Sequence, residues 1–154
     1  MRKEIGTLLV AGGIGLVWLL KKHVMAPRTH ERFITLKSRA GQCGIVGRQE
    51  DIKKVVLRRS KGDQVHWIIR NAPNSGSACN RDVHVCIGSW EMNGRPVESP
   101  VVDRHNEGLC RTVPQPRTKP IHAEVKEDAP RGAYAYKVLI DGQEAIDPMV
   151  EIVV

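Results

Sequence analysis

Residues 5–20 read Ile-Gly-Thr-Leu-Leu-Val-Ala-Gly-Gly-Ile-Gly-Leu-Val-Trp-Leu-Leu without one charged side chain, between Arg2-Lys3-Glu4 and Lys21-Lys22-His23. As a helix at about 1.5 Å per residue, the run spans roughly 24 Å, against about 30 Å of hydrocarbon. The deficit is about one turn. Lys3, Lys21 and Lys22 can cover it by laying their stems along the acyl chains with the ammonium groups among the headgroups. Ile5, Leu9, Leu16, Trp18 and Leu20 are the expected anchor residues, with the Trp18 indole near one interface. Gly12, Gly13 and Gly15 would let a neighbouring helix approach closely, although there is no GxxxG motif.

Two other readings compete for this segment. A cleavable signal peptide has the same length and a basic start. However, Lys21-Lys22-His23-Val24-Met25-Ala26-Pro27 follows where a small-x-small cleavage site is expected. A buried helix of a soluble domain would carry some polar periodicity, and the run has none. The sequence therefore predicts a transmembrane helix over residues 1–22, a linker over 23–32 limited by Pro27, and one domain over 33–154.

Charge is divided along the chain. The formal net charge is +7, but residues 21–70 hold thirteen Lys or Arg against four Asp or Glu, and residues 71–154 hold nine against twelve. The basic half is the tethered half. Lys21, Lys22, Arg28 and Arg32 are the expected headgroup contacts, each gaining roughly 1 kcal/mol near an anionic surface. Nucleic acid is not expected. The densest basic run, Lys53-Lys54-Val-Val-Leu-Arg58-Arg59-Ser-Lys61, has no interleaved aromatic residue and no recognisable reading motif.

The domain reads as short strands between Gly/Pro turns. Residues 33–37 form a possible first strand, and 52–58 with 64–70 form an expected hairpin turning at Ser60-Lys-Gly-Asp63. Val65, Trp67 and Ile69 alternate against Gln64, His66, Ile68 and Arg70, which makes Trp67 the largest core residue of its strand. Val83, Val85 and Ile87 share one face, and Trp90 is expected to fold back onto the core. Residues 93–119 look irregular, rich in Pro, Gly and Arg, and interrupted by Val101-Val102 and Leu109–Val113. Ile121, Ala123 and Val125 alternate with His122 and Glu124; Tyr134, Tyr136, Val138 and Ile140 face one way up to Asp141-Gly142; Val150 and Ile152 lie in a last strand. The fold class is mainly β, a single antiparallel β-sandwich behind the N-terminal helix.

Two stretches carry a resemblance. Lys61-Gly-Asp-Gln-Val-His-Trp67 followed by Asn71, and Pro130-Arg-Gly-Ala-Tyr-Ala-Tyr136 followed by Asp147-Pro148, resemble cupredoxin-like sandwiches. Turn-plus-strand patterns of this kind recur in immunoglobulin-like domains too. The resemblance implies a fold and no cofactor, because residues 127–136 hold no Cys, His or Met where copper members place their ligands.

Cysteines stand at 43, 79, 86 and 110, and four cysteines allow three complete pairings. Cys86–Cys110 is favoured because it would staple a strand to the irregular region, leaving Cys43–Cys79 as the second bridge. A single bridge or four thiols remain open. The positive-inside count is nearly tied, so it is the cysteines that point to an extracytoplasmic domain. Zinc is the rival use for Cys79, His84, Cys86, His105 and Cys110, but no two of them have structural-site spacing, and no metal ligand is assigned. Ser75 and Ser77 lack a glycine elbow. Asp103, His105 and Glu107 are read as solvated loop residues, so no catalytic residue and no small-molecule substrate are expected. The expected function is a non-catalytic, single-pass accessory or structural subunit of a membrane assembly, in contact with the bilayer and other membrane subunits. The alternatives are a tethered binding module using residues 93–119 and a small redox or metal-binding protein.

Overall fold

The computed structural model describes residues 26–45, 54–72, 76, 78–115 and 117–154. Ile5, Leu9, Leu16, Trp18, Leu20, Lys21 and Lys22 lie outside them, so the expected anchor does too. Among the described residues, no helix is long and apolar enough to cross a membrane.

In chain order the elements are β1 (Thr29–Arg39), β2 (Gln42–Ile45), β3 (Val55–Arg58), a 3-10 turn (Arg59–Lys61), β4 (Gln64–Asn71), β5 (Val83–Met92), β6 (Arg95–Pro96), β7 (Val101–Asp103), β8 (Cys110–Val113), β9 (Lys119–Val125), β10 (Gly132–Ile140), β11 (Gln143–Ile146) and β12 (Met149–Val153). One sheet has the order β2-β1-β4-β9-β7. The other runs β3-β12-β10-β5-β6, with β8 also on β5 and β11 also on β10. Together they make a mainly β two-sheet sandwich.

Period-two alternation decides which side chains fill the space between the sheets. Ile34 and Leu36 of β1, Val65, Trp67 and Ile69 of β4, and Ile121 and Ala123 of β9 are buried from one sheet. Val83 and Val85 of β5, Tyr134, Tyr136 and Val138 of β10, and Val150 and Ile152 of β12 are buried from the other. The Trp67 indole N–H donates to the Tyr136 hydroxyl at 3.0 Å, satisfying a buried donor across the two sheets. Trp90 stacks on Tyr136 with ring centroids 4.7 Å apart.

Four expectations need correction. The sandwich is not purely antiparallel, because β1 pairs parallel with β4 and β3 pairs parallel with β12. Residues 52–58 and 64–70 do not form a hairpin, since β3 and β4 belong to different sheets. The cause is local. Gly62 sits at φ 64° with its N–H on the Arg59 carbonyl, and the buried Asp63 carboxylate then accepts from the Arg58 amide at 3.0 Å, so the chain turns a corner between layers. The first strand begins at Thr29, inside the expected linker, because its residues find β4 in parallel register from Thr29↔Gln64 onward. Finally, the stretch 93–119 carries one strand, at Arg95–Pro96, beyond its two expected interruptions, Val101-Val102 and Leu109–Val113, which fall in β7 and β8. It contributes β6, β7 and β8, organised by a buried ion pair between Asp103 and Arg111 at 2.6 Å.

Candidate functional site

The chain enters the sandwich beside the β3–β4 corner. The Arg28 amide donates to Asp63 Oδ1 at 2.8 Å, and the Arg28 carbonyl accepts from the Gln64 amide. The Arg58 guanidinium grips the same carboxylate at 2.8 Å through both Nε and Nη2. Burial alone would push the Asp63 carboxyl up, but the hydrogen bonds from the Arg58 side chain and from the Arg28 and Arg58 amides hold it at about 2. Arg59 reaches the Ala129 carbonyl at 2.9 Å, which brings the 126–131 turn to the same end. Arg28, Lys61, Lys126 and Arg131 therefore share one end of the domain with Arg58 and Arg59, opposed there by Asp63, Glu127, Asp128 and Glu98, which pairs with Lys126 at 2.6 Å. Of the expected headgroup contacts, Arg28 is exposed at that end. Arg32 is half-buried on the inward-facing parity of β1, near enough to Tyr136 for its charge to be felt there.

The cysteines form two bridges, Cys43–Cys79 with Cα atoms 5.7 Å apart and Cys86–Cys110 at 4.1 Å. Cys86 and Cys110 are direct cross-strand partners on β5 and β8. His84 Nε2 lies 3.3 Å from Cys86 Sγ, and its Nδ1 lies 3.2 Å from the Thr112 hydroxyl. The structure thus brings His84, Cys86 and Cys110 together, their donor atoms within 4.8 Å of one another, but both sulfurs are spent in the bridge. Cys79 is committed to the other bridge, its amide donating to Asn71 Oδ1 at 3.1 Å. The cupredoxin copper set does not fit this chain, since every cysteine is bonded to another and the 127–136 segment offers no ligand.

Asp103 is not a solvated loop residue. Its Oδ2 binds the buried Arg111 guanidinium, and its Oδ1 accepts from the His105 amide at 2.7 Å. Burial would raise this carboxyl, and the Arg111 and His105 contacts bring it below the ordinary range. Arg111 also donates to the Gly108 and Cys110 carbonyls at 2.7 Å, fixing the exposed 104–108 tip from beneath. Glu107 makes a second contact with Arg111 at 3.1 Å. Ser75 and Ser77 lie outside the described residues.

A cluster with no motif of its own lies on the outer face of the first sheet. His66 of β4 and His122 of β9 are direct cross-strand partners, and Glu31 of β1 is the partner of His66 on its other side. The two imidazoles meet edge to face, with centroids 4.2 Å apart, and His105 adds a third ring 5.5 Å from His122. His66 Nε2 is buried with no hydrogen-bond partner. Burial, and then His122, lower the His66 pKa; Glu31 raises it and Arg104 and His105 lower it further. The outward parity of His66 and His122 is visible in the sequence. That their strands pair, in that register, is not.

No protein-family model matches the chain, and no curated protein matches it. Among solved structures it is similar to a multi-copper oxidase from Pediococcus acidilactici, with a TM-score of 0.39 and 14% identity. The match covers 82% of this chain and only 26% of that one, and it carries no functional assignment.

Proposed function

We propose that this chain is a non-catalytic, membrane-anchored accessory or structural subunit of a membrane-associated assembly, with its β-sandwich held outside the cytoplasm. The observation that carries the reading is where the chain enters the domain. Only a short segment separates the uncharged run 5–20 from Thr29, and β1 starts at the sandwich end that gathers Arg28, Arg59, Lys61 and Arg131. A helix lodged in the bilayer would set that end against the headgroups, where each exposed cation gains roughly 1 kcal/mol on an anionic leaflet. Two closed disulfides support an oxidising compartment. A helix over this short, glycine-bearing run would favour partner helices, or locally thinned bilayer, over a solitary span.

The scaffold itself we read as cupredoxin-like without its copper. Gly62-Asp63 makes the corner into β4, Trp67 fills the core, and Asn71 closes the strand onto the Cys79 backbone, which are structural duties. A second reading, a tethered binding module, is favoured by the 104–108 tip: it is exposed, yet held from beneath by Arg111 and beside the Cys86–Cys110 bridge. A loop ordered in advance loses less entropy on binding.

Extraction in mild detergent followed by size-exclusion chromatography tests the subunit reading. The chain is expected to travel in a complex larger than itself, and a clean monomer with an intact domain overturns it. Membrane association should survive high salt and vanish when residues 1–22 are deleted; release by salt alone overturns the anchor.

A further inference from the structure

We propose that His66, His122 and His105 form a surface site for a borderline divalent transition-metal ion of the Zn2+ or Cu2+ kind, on the outer face of the first sheet. It stands whether or not the chain is anchored. Three observations converge on it. First, the geometry is close to what coordination needs. An imidazole nitrogen binds zinc at about 2.0–2.1 Å, which places the ring centroid about 3.2 Å from the ion, so two ligands at a tetrahedral angle have centroids roughly 5 Å apart. The observed spacings, 4.2 Å between His66 and His122 and 5.5 Å between His105 and His122, lie on either side of that value, and the three rings must turn about their side-chain torsions to share one ion.

Second, the site has an unmet polar atom. His66 Nε2 is buried without a partner, an arrangement that a bound cation would relieve.

Third, the ligands are mounted on rigid supports. His66 and His122 are paired across two central strands, and the His122 carbonyl accepts the Arg104 amide at 3.0 Å. His105 hangs from Asp103 through its backbone amide, and Asp103 is fixed by Arg111. Sites built on strands and locked loops hold their geometry. The charges of Glu31 and Arg104 both reach His66. Glu31, in register beside His66, can supply a carboxylate as a fourth ligand; Arg104 opposes a cation, but its guanidinium is engaged with Gln64 Oε1 at 3.2 Å. The donor set, imidazoles with at most one carboxylate, suits zinc or copper and not magnesium or calcium.

The test uses the full chain in detergent, without a polyhistidine tag, titrated with Zn2+ near pH 7.5 by calorimetry. One ion per chain is expected, with affinity falling at least tenfold in His66→Gln and in His122→Gln. His84→Gln, beside the Cys86–Cys110 bridge, should leave it unchanged. Carbethoxylation of the unsubstituted protein, read by mass spectrometry, removes any dependence on how the variants fold. Zn2+ should protect His66, His105 and His122 while His84 stays reactive. No stoichiometric binding, equal protection of all histidines, or loss of the ion in His84→Gln each overturns the site.

Discussion

A single buried carboxylate ties the start of the described chain, at Arg28, to the corner between β3 and β4. Asp63 accepts the Arg28 amide from 35 residues upstream, and the Arg58 amide and guanidinium from the strand before it. Its folded-state pKa of about 2 lies below the ordinary 3.8. The stabilisation is therefore complete above the unfolded value and is lost as pH falls through the folded one, on the order of 2 kcal/mol in all. The urea midpoint at pH 2 should drop below its pH 6 value, and Asp63→Asn should be less stable at pH 6 while losing this part of the pH dependence. An unchanged profile in Asp63→Asn would assign the acid sensitivity to other carboxylates. The aspartate was legible in the sequence only as part of a turn. Trp67, by contrast, was legible as core from its alternation with Val65 and Ile69, because burial on a strand follows from local parity. The partners of Asp63 follow from tertiary placement, which parity does not encode.

At the level of elements, strands were easier to read than pairings. Residues 64–70, 83–87, 121–125 and 134–140 all lie in strands, since hydrophobic alternation is a property of one segment. Two neighbouring strands with a glycine turn between them suggested a hairpin, yet β3 and β4 diverge into separate sheets at Gly62 and Asp63. The histidine cluster escaped for the same reason, since it exists only once β4 and β9 are known to be neighbours. Disulfides compensate where pairing is sparse: β8 is a four-residue strand, and Cys86–Cys110 fastens it to β5. With the cysteines 24 positions apart in sequence, the chain-entropy contribution is about 3.5 kcal/mol. Replacing both Cys86 and Cys110 by Ala should lower unfolding free energy by about that amount, measured by urea denaturation. Hydrogen exchange should rise first at the amides of residues 104–113, with β4 and β10 still protected. Uniform loss of protection would mean that the bridge supports the whole sandwich and not the β8 edge.

At the scale of the whole molecule, the proposed anchor would set one end of the sandwich against the bilayer. The end where β1 starts carries Arg28, Lys61 and Arg131, while the other end is formed by the Ala40-Gly41 and Asp141-Gly142 turns and by Asn71. Charge asymmetry along the sequence foreshadowed this polarity, because the basic residues fall in the half nearest the uncharged run. The sequence could not show that the 126–131 turn joins them, which the contact between Arg59 and the Ala129 carbonyl brings about. Two full-length proteins reconstituted into anionic vesicles separate the orientations: one labelled with a fluorophore through Lys61→Cys, the other through Gln143→Cys. A headgroup-attached quencher should dim the label at 61 and spare the one at 143. Raising salt should weaken the quenching at 61 without releasing the protein, because surface attraction is screened over about 8 Å at physiological ionic strength while an inserted helix is not. Equal quenching at both positions would mean that the domain lies on its side. Preferential quenching at 143 would reverse the orientation and strip Arg28, Lys61 and Arg131 of a role at the membrane.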